Sequence, residues 1–150
     1  MSDSDLIRLY STRILDLAAN IPHLGRLEAP QASVRKRSPL CGSTVTADVA
    51  MDDGKVTRFA QDVKACALGQ AAAGVVGRVA LGRTMAEVTA ARDALRRMLG
   101  AAGPVPAAPF HEFEALLAAR DYPNRHASIL LSIEALTEAM EAAEGHVRPA

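Results

Sequence analysis

Tryptophan is absent from this chain of 150 residues, and aromatic residues make up only 3% of it. Apolar residues still reach 49%, so the core has to be built from Ala, Val, Leu, Ile and Met. Surplus charge is missing too. Lys plus Arg (17) balances Asp plus Glu (17), which removes any general electrostatic pull toward nucleic acid or an anionic membrane. No apolar run is long enough to span a bilayer. The N-terminus, Met1-Ser2-Asp3-Ser4-Asp5, is acidic and lacks the basic-then-apolar order of a signal peptide, so a cytoplasmic protein is expected. A disulfide framework is excluded in turn. Cys41 and Cys66 are the two cysteines, and in a reducing compartment such a pair reads as inert core, redox, catalytic or metal-binding. The length fits a single domain over 1–150, large enough to bury a core without staples.

Leu6, Tyr10, Ile14, Leu17 and Ile21 recur at helical steps and predict a first helix, with Ser4 or Asp5 as its cap. Strands follow. Residues 32–37 form a short basic one. Residues 43–51 alternate, with Val45, Ala47, Val49 and Met51 on one side. Asp53-Gly54 marks a tight hairpin turn, and residues 55–63 return. Residues 66–81 are almost wholly Ala, Gly, Val and Leu, the pattern of a helix buried all round. Gly69, Gly74 and Gly77 are poor helix formers, so close packing has to offset their cost. Thr84 and Glu87 form a capping box for a helix running to about Leu99. That helix carries Arg92, Arg96 and Arg97 on a face expected to be solvated. A Pro/Gly/Ala connector spans 101–109, a short helix 110–119, and Pro123 opens the last helix, with a frayed tail from Gly145. The fold class expected is α+β, a three-stranded antiparallel sheet with helices packed on one face.

Chemistry centres on the cysteines. Cys41 lies in Pro39-Leu40-Cys41-Gly42, in the turn between the first two strands. Cys66 follows the third strand and begins a helix, where the dipole favours thiolate, the form that binds metals and attacks sulfur. Spacing alone leaves the inert reading open, because free cysteine is among the most buried residue types. Asp52 and Asp53 read as turn residues, and His23, His111 and His146 as solvated.

Three motifs in order change the balance. Leu9-Tyr10 through Asp16 to Gly25 leads into Ser38-Pro39-Leu40-Cys41-Gly42. Ala65-Cys66-Ala67-Leu68-Gly69-Gln70-Ala71 runs to Gly82-Arg83-Thr84. Pro123-Asn124-Arg125-His126-Ala127-Ser128 continues to Leu131 and Ala135-Leu136. Together they cover most of the chain, and they resemble the iron–sulfur cluster scaffold family of IscU, SufU and the N-terminal part of NifU. The resemblance implies a SufE/NifU-like fold. It also implies a site where three cysteines and an aspartate hold a nascent [2Fe–2S] cluster, or zinc in some members. A cysteine desulfurase supplies the sulfur and a recipient protein takes the finished cluster. Such a protein is a scaffold, not an enzyme.

Carried over position by position, Cys41 and Cys66 match two ligands. Ser128 stands where the third cysteine would be, and Ser43 stands where the aspartate would be. Ser38 replaces the Asn before Pro39, and Ala65 replaces the Gly before Cys66. A serine hydroxyl is a harder, weaker ligand than a thiolate, and two thiolates do not fill the four positions of a [2Fe–2S] cluster or of structural zinc. His126 is a candidate nitrogen ligand; small thiols or a second subunit are other sources. The expected function is therefore cluster assembly through Cys41 and Cys66, with Ser43, Ser128 and His126 as candidate site residues. Two alternatives stand beside it: a SufE-like persulfide acceptor, and an interaction module whose site no longer holds a metal.

Overall fold

The structure, a computed structural model, describes residues 9–147. The expected cap at Ser4 or Asp5, and Leu6, lie outside the described residues. Helix α1 spans Thr12–Ala19, and its N-cap is Ser11, whose hydroxyl accepts from the Ile14 N–H at 3.3 Å. Ile14 and Leu17 are buried on its inner face, as the periodicity predicts.

Strands β1 (Ala32–Arg37), β2 (Thr44–Asp52) and β3 (Lys55–Lys64) pair antiparallel in the order β1-β2-β3. The hairpin turn works as the sequence suggests: Asp53 and Gly54 both take positive φ, 52° and 74°, which a primed turn requires. The register places Ala32, Val34 and Lys36 beside Val49, Ala47 and Val45, with Phe59, Gln61 and Val63 on their other side. This row faces the helices. The strands therefore show the half-buried alternation of an antiparallel sheet covered on one side. The outer edge of β3 is bridged by Leu24 and Thr84. β1 is the other edge strand, and its only strand partner among the described residues is β2.

On the opposite face Asp48 is fully buried. Arg26 grips it with Nε at 2.7 Å and a second nitrogen at 3.1 Å, while the Ser33 hydroxyl (2.5 Å) and the Leu27 N–H (3.0 Å) also donate to it. The segment before β1 is thereby tied across the sheet. Burial pushes the Asp48 carboxyl up; those hydrogen bonds and the Arg26 charge outweigh it and hold the group below its ordinary value.

Helix α2 (Ala67–Val79) runs through the centre of the molecule, and most of its residues are buried. Its glycines are spaces for neighbours. A methyl group at Gly74 would collide with the Leu17 carbonyl of α1, and one at Gly77 would sit 2.8 Å from the Pro22 carbonyl. Gln61 joins sheet to helices: its side-chain N–H donates to the Ala73 carbonyl (2.9 Å), and its oxygen accepts from Ser132 (3.0 Å). Helix α3 (Met85–Gly100) starts at the expected capping box of Thr84 and Glu87. Arg96 of α3 is not merely solvated; it reaches Glu134 of the last helix at 2.7 Å.

Residues Phe110–Asp121 form a 3₁₀ helix. Its buried residues, Phe110, Phe113, Leu116 and Ala119, recur at steps of three, the period of that helix. Pro123–Arg125 adds one more 3₁₀ turn before helix α4 (His126–Val147). α4 lies across β1 and β2 and continues through Gly145, where fraying was expected. No helix among the described residues is long and apolar enough to cross a membrane.

Candidate functional site

The loop from Ser38 to Ser43 turns β1 into β2. It is closed by the Ser38 N–H on the Ser43 carbonyl (2.8 Å) and the Gly42 N–H on the Ser38 carbonyl (3.0 Å). Gly42 takes φ +72°, a conformation that side chains disfavour. Its tip is outside the protein: Leu40 is 71% exposed and Cys41 is exposed. Cys66 is the N-cap of α2, half-buried, and its sulfur makes no capping hydrogen bond. Ser128 lies in the first turn of α4, pressed into the notch beside Gly69. A methyl group at Gly69 would sit 2.6 Å from the Ser128 hydroxyl oxygen.

These three elements bring Cys41, Ser43, Ser128 and Cys66 together. The Cys41 Sγ is 3.0 Å from the Ser43 hydroxyl. The Ser128 hydroxyl donates to Ser43 Oγ at 3.3 Å and lies 3.5 Å from the Cys66 Sγ. One exposed and one half-buried cysteine thus rest on a floor of two buried hydroxyls. A third hydroxyl joins them. Ser38 is 1% exposed, with its oxygen 3.5 Å from Cys41 Sγ. Sequence reasoning named Ser38 only as a departure from the family pattern; its spacing, three residues before a cysteine in a tight loop, was the available signal.

The hydroxyls govern the charge on Cys41. Hydrogen bonds from Ser38 and then Ser43, with smaller help from the Ser43 backbone and Ser128, lower its thiol from 9.0 to about 7 against a weak opposing effect of burial. Half of it is then thiolate near neutral pH.

His126 faces backbone through one nitrogen. Its Nε2 lies 2.9 Å from the Ala119 carbonyl and 3.1 Å from the Arg120 carbonyl. A ring nitrogen facing two carbonyls carries the proton, which leaves the lone pair on Nδ1. Through Nε2 the imidazole ties off the end of the preceding 3₁₀ helix. Among the described residues no group of three or more His, Cys, Asp or Glu side chains converges to hold a metal ion. A cavity of about 360 Å³ between α3 and the connector, lined by Glu87, Arg97 and Phe110 among others, shares no residue with the thiol cluster.

Comparison with known proteins identifies the family and the fold. Residues 9–128 match the family described as NifU-like N terminal domain. The iron–sulfur cluster assembly scaffold protein IscU of Streptococcus pyogenes serotype M1 is 25% identical over 141 residues, covering 94% of this chain and 88% of that protein. The crystal structure of the N-terminal part of a nitrogen-fixing NifU-like protein from Brucella abortus superposes with a TM-score of 0.92 at 44% identity, over 94% of this chain and 98% of that one. A candidate SUF-system scaffold from Fervidobacterium islandicum AW-1 shares the fold at a TM-score of 0.78 and 21% identity, over 89% of this chain and 98% of its own. The expected α+β architecture is the one these structures have. The chain belongs to the NifU-like N-terminal domain family, a family of iron–sulfur cluster assembly scaffolds rather than enzymes.

Proposed function

We propose that this protein carries a [2Fe–2S] cluster in transit, bound through Cys41 and Cys66, in the cytoplasm. A cysteine desulfurase provides the sulfur and a recipient apoprotein takes the cluster. The observation that carries the reading is the convergence of the two thiols on the shared hydroxyls of Ser43 and Ser128. Thiolates are the ligands that iron–sulfur clusters prefer, and zinc competes for the same ligand type. The cluster is cargo: Cys41 is exposed and Cys66 half-buried, so a recipient's thiols can approach from the Cys41 side. In this reading Ser43 and Ser128 act as hydrogen-bond donors to the thiolates instead of as ligands. Such bonds withdraw charge from sulfur and tune cluster potential.

Anaerobic reconstitution with ferric iron and sulfide tests this. The wild-type chain should gain sulfide-to-iron absorbance, and a Cys41→Ala/Cys66→Ala variant should not. A folded wild-type chain that stays colourless and iron-free would overturn the reading and favour a metal-free interaction module.

One observation favours a second reading. Cys41 is exposed and its thiol is lowered to about 7, which suits a sulfur acceptor at neutral pH. Its thiolate would attack the outer sulfur of a desulfurase persulfide. A sulfur–sulfur bond forms on Cys41, the desulfurase's sulfur–sulfur bond breaks, and its cysteine leaves as thiolate. Mass spectrometry after incubation with desulfurase and cysteine should then find one added sulfur atom on Cys41. An unmodified Cys41 would exclude the role with that desulfurase.

A further inference from the structure

We infer that the open edge of β1 receives an extended acidic segment of a partner protein, which joins the sheet as a further strand. Hydrogen bonding at the end of β1 fixes which way its backbone points. The Ser38 N–H donates to the Ser43 carbonyl at 2.8 Å. Residues in step with Ser38, namely Lys36, Val34 and Ala32, therefore turn their N–H and C=O groups toward β2. The alternate residues, Ser33, Arg35 and Arg37, turn theirs outward. Among the described residues β2 is the only strand paired with β1, and neither bridge outside the strands involves it. An edge of this kind is a template for strand addition, in which main-chain hydrogen bonds supply affinity and alternate side chains supply selectivity.

The side chains select the occupant. Arg35 and Arg37 lie on the sheet face away from the helices and are exposed, and neither enters an ion pair among the described residues. Lys36, between them, points to the other face and is neutralised by Glu138 of α4. Val34 beside it is half-buried. The edge thus shows two unmatched cations on one face and an apolar, neutralised row on the other. Side chains of an added strand alternate in the same way. Carboxylates at every second residue would each face an arginine, and apolar residues between them would cover Val34 and the stem of Lys36. Opposite charges directly across a ladder attract and like charges repel. Arg26 donates to the Ser33 hydroxyl at 3.1 Å, so the open stretch is Val34 to Arg37. β1 leads straight into the loop that carries Cys41, and the Arg37 guanidinium stands 3.7 Å from where a Cβ on Gly42 would lie. A partner seated on this edge is anchored next to the exposed thiol. Docking needs no metal, so it stands or falls apart from cluster binding.

The test uses the full, metal-free chain and a capped peptide of about seven residues, one strand in length, that alternates Glu with Val. Amide NMR should place the shifts on Val34 to Arg37. Hydrogen exchange at the Arg35 and Arg37 amides should slow by about tenfold or more at saturating peptide. A peptide alternating Lys with Val should not bind. Arg35→Glu/Arg37→Glu should reverse that preference, and Arg35→Gln, which removes one charge, should weaken the Glu peptide severalfold. N-methylation of the peptide amides that face β1 keeps the charges and removes the donors, so affinity should fall by about tenfold or more. Equal binding of the methylated peptide would reduce the contact to charge alone and overturn strand addition. Shifts that fall elsewhere on the chain, or no binding of the Glu peptide, would overturn it as well.

Discussion

Cys41 stands in solvent, yet its sulfur is within hydrogen-bond reach of Ser38 and Ser43. Neighbouring hydroxyls, not burial, set its acidity. Alkylation of Cys41 by iodoacetamide in a Cys66→Ala background should be half-maximal near pH 7. Ser43→Ala removes the nearer hydroxyl, and the midpoint should rise by on the order of one pH unit, the worth of one hydrogen bond to a charged group. An unchanged midpoint would mean that the hydroxyls do not hold the thiolate. Asp48 tests a different residue-level balance. Its carboxyl is held below the usual range by Arg26, Ser33 and Leu27. A lowered acid adds stability above its unfolded pKa, and that stability is lost as pH falls through the folded value. Asp48→Asn should therefore cost about 2 kcal/mol at neutral pH. It should also flatten the loss of urea stability from about pH 5 downward.

Elements differ in how plainly the sequence announces them. The glycines of α2 could be read in advance as packing spaces, because nothing else justifies three of them in one helix. The structure names the neighbours: Ser128 at Gly69, the Leu17 carbonyl at Gly74, the Pro22 carbonyl at Gly77. Gly74→Ala should destabilise by about 1–3 kcal/mol despite alanine's better helix propensity, because the group it meets is backbone and does not rotate away. Gly100→Ala at the end of α3, where a methyl group meets nothing, should be neutral or slightly stabilising in the same urea titration. The capping box at Thr84 and the Asp53-Gly54 turn were equally legible, since both depend on local geometry alone. The 3₁₀ helix over Phe110–Asp121 was not separated from an α-helix, although the three-residue step of Phe110, Phe113, Leu116 and Ala119 was in view. Contacts distant in sequence hid the rest. Spacing could give His126 a place near Ser128, but not the two carbonyls that claim its ring. The alignment of motifs gave Ser43 and Ser128 their positions. That their hydroxyls touch depends on the β1–β2 loop and α4 meeting across 85 residues of chain.

For the molecule as a whole, the site and the stability are separate. The core cluster runs from Leu9 through Val45, Val75, Leu95 and Phe113 to Met140. Cys41 lies outside it, and Cys66 only packs against its rim, half-buried. The double variant Cys41→Ala/Cys66→Ala should keep its circular dichroism spectrum and lose about 1 kcal/mol in urea, from the contacts of Cys66. A collapse of the fold would show that the thiols hold structure rather than cargo. The sheet carries one further consequence. β1 ends it with a rim that pairs with no strand but β2 among the described residues, and such rims invite other strands to add on. Here Lys36 is paired with Glu138 of α4, but Arg35 and Arg37 at the end of that rim are exposed, so a neighbouring molecule aligning the same stretch meets charge of its own sign. That guards a neutral chain, which has little net repulsion to keep its copies apart, against fibre-like stacking during storage or overexpression.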